Sequence, residues 1–130
     1  MPNKTMDQKR AAYAWECTAG TDRDYKNLAK GAPALIMGNG LMQALCYWQG
    51  KSAQGKQLVK DLCLWLQNQC GVGEGKFHSF MVAIQEADGI TYLRVTDEAL
   101  EILRWIRQFV DARETSQASS SSTTGEKGDA

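Results

Sequence analysis

The stretch TDEALEILRWIRQFV, residues 96–110, decides the fold class. Ala99, Ile102, Leu103, Ile106, Phe109 and Val110 recur at the spacing of one helix face, with charged residues between them. Thr96 has the side chain of an N-cap, and Asp97 and Glu98 follow where the positive end of a helix dipole favours carboxylates. The reading is an amphipathic helix starting at Thr96 and laying one apolar face on a core.

Upstream, the same period recurs. Phe77 to Ala87 reads as a short helix closing near Gly89. Leu58, Leu62, Trp65, Leu66 and Cys70 define another, stopped by Gly71-Val72-Gly73. Leu41, Ala44, Leu45 and Trp48 resume helical spacing directly after Gly38-Asn39-Gly40, which reads either as a tight turn or as a helix in close backbone contact at its glycines. Pro33 suits the first position of a helix holding Leu35, Ile36 and Met37. Thr21 or Asp22 can cap the one before it, which turns Tyr25, Leu28 and Ala29 inward, and Ala11, Ala14, Trp15 and Thr18 mark the first. Ile90 to Val95 can extend briefly but is too short and isolated to build a sheet. Tryptophans 15, 48, 65 and 105 fall one per helix beside other apolar residues, the pattern of a core more than of stacking platforms for bases. The expected fold is all-α: a single compact bundle of about six helices over residues 1–114, followed by a disordered Ser/Thr/Gly tail over 115–130.

Charge is unevenly spread along a chain that is neutral overall, with 15 basic and 15 acidic residues. From Lys26 to Lys60 there are five lysines and no Asp or Glu; from Glu86 to Glu114 there are seven acids against four arginines. Lysines without nearby carboxylates can neutralise phosphates without first breaking internal ion pairs, so one half of the chain is suited to a polyanion and the other to a basic neighbour. The polar opening, Met1 to Arg10, has no apolar run behind it, and no apolar stretch approaches the length of a membrane span; a cytoplasmic protein with no membrane contact is expected. Cysteines 17, 46, 63 and 70 contain no CxxC pair, which argues against a disulfide framework.

Residues for chemistry are scarce. His78 is the only histidine, and its spacing from Cys63 and Cys70 matches no common zinc module. The run Gly71-Val72-Gly73-Glu74-Gly75-Lys76 is one residue short of a phosphate-binding loop, and Phe77 stands where Ser or Thr would bind magnesium. Asp97, Glu98 and Glu101 suit capping and a solvated helix face before general acid–base work. No catalytic residue, metal ligand or cofactor is assigned, and a binding or structural role is expected.

The order of motifs adds a resemblance. Ala32-Pro33-Ala34-Leu35-Ile36 runs into Asn39-Gly40-Leu41, Gln43-Ala44-Leu45, Trp48 and Lys51; far downstream come Tyr92, Thr96, Glu98-Ala99-Leu100, Leu103, Trp105-Ile106-Arg107 and Phe109. Over roughly residues 6 to 113 the chain resembles the small, fifth subunit of the Cmr-type (type III-B) CRISPR effector complex. The resemblance implies an all-α protein without catalytic activity of its own. It further implies partners: other subunits of the complex, copies of itself in a short inner filament, and the duplex of guide RNA and target RNA along which that filament lies. Lysine and arginine at the matched positions would face nucleic acid or neighbouring subunits.

Joined to the charge pattern, the resemblance makes Lys26, Lys30, Lys51, Lys56, Lys60 and Arg107 the candidate RNA-binding residues, through phosphates. Lys51 and Arg107 rest on both motif and charge, the others on charge alone. Arg107 has a competing role as an ion-pair partner of Glu101 or Asp111. A small helical DNA-binding regulator, a helical adaptor or an undescribed small enzyme are the alternatives. The spread of basic residues over several helices and the lack of a His-centred arrangement count against the regulator and the enzyme.

Overall fold

The computed structural model describes the backbone from Asn3 to Asp129 and the side chains as far as Thr115. It contains α1 (Met6–Thr18), α2 (Arg23–Asn39), α3 (Leu41–Lys51), α4 (Ala53–Cys70), α5 (Phe77–Glu86) and α6 (Gly89–Asp129). No strand occurs among the described residues. The expectation of a disordered tail over 115–130 falls outside the described side chains.

Local chemistry sets the boundaries. Thr5 and Gln8 form a reciprocal capping box at α1, with the Gln8 amide donating to Thr5 Oγ1 at 3.1 Å and the Thr5 amide to Gln8 Oε1 at 2.8 Å. Asp22 caps α2 by accepting from the Tyr25 amide at 2.9 Å. Gly40, at φ +87°, is a one-residue joint: its amide closes α2 on the Ile36 carbonyl at 2.7 Å, and its carbonyl accepts from the Ala44 amide at 3.1 Å to open α3. Of the two readings of the glycine run, the tight turn is the one formed. Ser52 does the same work between α3 and α4, its hydroxyl accepting from the Gly55 amide at 3.0 Å.

Three expectations change. Pro33 does not begin a helix; it sits inside α2. An interior proline costs about 3 kcal/mol, and here the buried residues Tyr25, Ala29, Ala32 and Ile36 keep one unbroken face through it, packed on α4 and α6. The last helix starts at Gly89, not Thr96. The Thr91 amide donates to Asp88 Oδ1 at 2.7 Å, making Asp88 the cap, and the Thr96 hydroxyl donates back to the Tyr92 carbonyl at 2.9 Å in mid-helix. Finally, only two tryptophans belong to the core: Trp48 and Trp65 are buried, whereas Trp15 is 51% exposed and Trp105 is partly covered. Trp15 instead meets the Arg113 guanidinium, 3.5 Å from its ring centre, and the Phe109 ring at 80° to it, with 5.2 Å between ring centres.

α6 lies against α1, α2 and α4 through Val95, Ala99, Ile102, Leu103, Ile106 and Val110. The opposite wall comes from α4, with Leu58, Leu62 and Leu66, and from Leu41, Leu45 and Trp48 of α3. Two carboxylates hold the helices in register. Glu98 accepts from Arg10 Nε at 2.9 Å and Nη2 at 2.8 Å and from the Trp65 indole at 2.9 Å, joining α1, α4 and α6. Burial alone would push Glu98 up, but the Arg10 and Trp65 donors hold it below the usual range. Among the described residues Asp61 has no cation within ion-pair distance; Tyr25 Oη at 2.6 Å and Gln57 Nε2 at 2.9 Å donate to its two oxygens.

Candidate nucleic-acid interface

From Tyr25 to Gly73 the only carboxylate in the chain is Asp61, and it is 9% exposed. The solvent-facing surface of α3 and α4, and of α2 after Asp24, therefore carries no carboxylate of its own. Lys51, Lys56 and Lys60 are exposed on this surface and form no ion pair among the described residues. Lys51 ends α3, Lys56 lies in the first turn of α4, and Lys60 follows one turn later on the same face of α4. The two helices meet closely at their junction: a Cβ at Gly55 would lie 2.1 Å from the Trp48 carbonyl oxygen, so only glycine permits the approach.

The other candidates sit elsewhere. Lys30 departs from the expectation of a cation free of carboxylates, because α6 supplies them: its Nζ is 2.6 Å from Glu114 and 3.6 Å from Asp111. The Glu114 hydrogen bond raises Lys30, and Lys30 in turn lowers Glu114, with the charges of Lys26 and Arg23 adding to the effect. Lys26, one turn earlier on α2, is partly covered and makes no ion pair among the described residues, though Glu114 feels its charge. Arg107 is exposed and takes neither expected partner: Glu101 pairs with Arg104 at 3.3 Å and Asp111 with Lys30. The structure thus leaves Lys51, Lys56 and Lys60 exposed and without an ion pair among the described residues, ties Lys30 to α6, and leaves Arg107 apart on α6.

Sequence reasoning passed over Tyr47. It is 52% exposed on α3, its hydroxyl accepts from Lys51 Nζ at 3.2 Å, and the same ammonium lies 5.2 Å from its ring centre. The spacing of four residues was the available signal.

A groove of about 580 Å³ opens between α1, α2 and α4, with Tyr13, Cys17, Asp22, Tyr25 and Asp61 in its walls. Burial pushes the Cys17 thiol up to about 12 and the Tyr25 phenol well above its ordinary value. Burial also raises Asp61, against the donors Tyr25 and Gln57 and the charge of Lys60. No group of three His, Cys, Asp or Glu residues is placed to hold a metal ion among the described residues. Among the described residues no helix is long and apolar enough to cross a membrane.

Comparison with known proteins agrees with this architecture. The family model described as CRISPR-associated protein (Cas_Cmr5) matches residues 6–113. A relative named CRISPR system Cmr subunit Cmr5, from Thermus thermophilus, is 32% identical over 108 residues, covering 81% of this chain and 89% of that protein. The crystal structure of a Cmr5 family protein from the same organism superposes with a TM-score of 0.70 at 29% identity, covering 84% of this chain and 97% of that one. With nearly all of the packed helical region matched in sequence and in fold, the chain belongs to the Cmr5 family of CRISPR-associated proteins.

Proposed function

We propose that this chain is the non-catalytic small subunit of a Cmr-type, RNA-cleaving CRISPR ribonucleoprotein that silences invading RNA in the cytoplasm, and that copies of it stack along the guide RNA–target RNA duplex. The observation that carries the reading is the α3–α4 junction, where three exposed lysines form no ion pair among the described residues, the nearby Asp22 carboxylate being hydrogen-bonded to Gln54 Nε2 at 2.8 Å. A guide duplex has A-form geometry, so a sequence-independent subunit meets it through phosphates and shape. Lys51, Lys56 and Lys60 form the principal phosphate contacts, with Lys26 and Arg107 as flanking ones. Lys30 contributes only if phosphate displaces its carboxylates. Head-to-tail stacking joins two different patches of one subunit. On the exterior of α6, Asp97 is exposed, forms no ion pair among the described residues and is available to a basic neighbour.

The test is co-expression with the backbone and large subunits and a guide RNA, with purification through a tag on another subunit. This chain is expected in the large complex in more than one copy. Elution as a free small protein at low salt would overturn the assignment.

A further inference from the structure

We propose that Tyr47 and Lys51 act together as a clamp for a single phosphate of an RNA duplex, with the Tyr47 hydroxyl as a proton donor to a phosphate oxygen. The proposal rests on the reading of the α3–α4 junction as the duplex-contacting surface and names a residue that charge and motif do not supply.

The geometry is specific. Tyr47 and Lys51 lie one turn apart near the end of α3, both exposed. Lys51 Nζ donates one of its protons to the Tyr47 hydroxyl at 3.2 Å, so that oxygen is the acceptor in their mutual bond. The phenolic proton then points to no protein acceptor among the described residues, and the ammonium keeps two further protons. One oxygen of a phosphate can take the phenolic proton and another an ammonium proton, each bond strengthened by the anion's charge. The hydrogen bond between Lys51 and Tyr47 limits the freedom of both side chains before any ligand arrives. Less ordering is then required on binding than for a lone lysine. The bases of a duplex are paired inside the helix, so the hydroxyl rather than the ring is the part that reaches this ligand.

The experiment uses the full chain, ¹⁵N-labelled, titrated with an RNA duplex of about 20 base pairs and arbitrary sequence, at several low salt concentrations. Amide spectra confirm that each variant is folded. Wild type is expected to show shifts centred on the α3–α4 junction. Tyr47→Phe keeps the ring and removes the donor: binding should weaken about fivefold to tenfold, with the slope of log affinity against log salt unchanged because no charge is lost. Lys51→Met should lower that slope by about one counterion. The double variant should be weaker than Lys51→Met by much less than the Tyr47→Phe factor, because both groups serve one phosphate.

Equal binding by wild type and Tyr47→Phe overturns the clamp. Full additivity in the double variant does so too, because the two side chains would then hold different groups. Neither outcome touches the lysine surface if Lys51→Met still weakens binding. Unchanged affinity and slope in the triple variant Lys51→Ala/Lys56→Ala/Lys60→Ala, or no binding by wild type, removes the reading itself and the clamp with it.

Discussion

Lys30 and Lys51 come from one acid-free run of sequence and end in opposite surroundings. At the seam of α2 and α6, Lys30 lies 2.6 Å from Glu114 and 3.6 Å from Asp111, while Lys26 and Arg23 bias the same carboxylate. At the α3–α4 junction, Lys51 has a neutral neighbour, Tyr47, and Lys56 and Lys60 have no ion pair among the described residues. A phosphate approaching the seam must displace a carboxylate, whereas at the junction none is ion-paired with Lys51, Lys56 or Lys60 among the described residues. The absence of acids within a stretch of chain therefore describes the field only where no distant helix supplies them. Asp111 and Glu114 of α6, more than eighty residues away from Lys30 in sequence, supply them at the seam.

The largest expected effect tests that contrast directly. Replacing Lys51, Lys56 and Lys60 by alanine should weaken duplex binding about a hundredfold at low salt and reduce the salt slope by roughly two to three counterions. Lys30→Ala should change affinity less than about twofold under the same conditions, because it surrenders no free cation. If Lys30→Ala approached the triple variant in either quantity, the seam would be part of the interface and the contrast would collapse. Filter binding or fluorescence anisotropy at several salt concentrations reads both numbers.

A smaller effect probes how the junction is built. In Gly55→Ala the new methyl meets the Trp48 carbonyl oxygen, a contact at 2.1 Å that the helices must open to relieve. Overpacking of this kind costs about 1–3 kcal/mol, against roughly 1 kcal/mol gained in helix propensity. Because the 2.1 Å contact is with backbone, the cost falls in the upper part of that range, and the net expectation is a loss of about 1–2 kcal/mol in urea unfolding, with helicity retained. Unchanged stability would mean that α3 and α4 part easily and that the lysines do not share one rigid platform.

Much of the fold was legible because packing and local preference agree. The α6 face from Ala99 to Val110, the Asp22 cap and the Gly71 stop all stand where their residue types point. The errors arise where two local signals compete. Pro33 suggested a helix start, but Tyr25, Ala29, Ala32 and Ile36 keep helical spacing through it, and tertiary burial outweighs the lost hydrogen bond. Thr96 and the acids after it suggested an N-terminus, yet Asp88 caps the helix two turns earlier, and Glu98 serves Arg10 and Trp65 instead. Trp15 carries the same apolar spacing as Trp48 but lies at the edge of α1, where Arg113 covers it in place of the core. Of the candidate site, the free lysines were readable from charge alone. The neutralisation of Lys30 was not, because a pairing across the chain leaves no local trace.

Releasing Lys30 sharpens the comparison from the other side. Asp111→Asn combined with Glu114→Gln removes both carboxylates while keeping their size, which leaves Lys30 as exposed to counterions as Lys51. Duplex affinity should then rise about twofold to fivefold, with the salt slope steeper by up to one counterion. Should affinity stay level, Lys30 lies too far from the bound duplex, and the seam is excluded by geometry as well as by charge.

The smallest effect follows from titration of the same seam. Hydrogen bonding to Glu114 raises Lys30 in the folded state, so its contribution is complete below the ordinary lysine value and is lost as pH rises through the raised one. Lys30 lowers Glu114, so that contribution is complete above the ordinary glutamate value and is lost as pH falls through the lowered one. The difference in Tm between wild type and Lys30→Met should therefore be flat from about pH 6 to pH 9 and shrink outside roughly pH 4 and pH 10.5. Taking a difference is essential, because Asp61 works in the opposite sense. Burial raises its carboxyl, so its charge opposes folding above the carboxylate range and that opposition fades on acidification, equally in both proteins. A difference that persisted undiminished at pH 3 would show Lys30 stabilising α2 without Glu114, and the seam would owe its strength to packing of the lysine stem against α6.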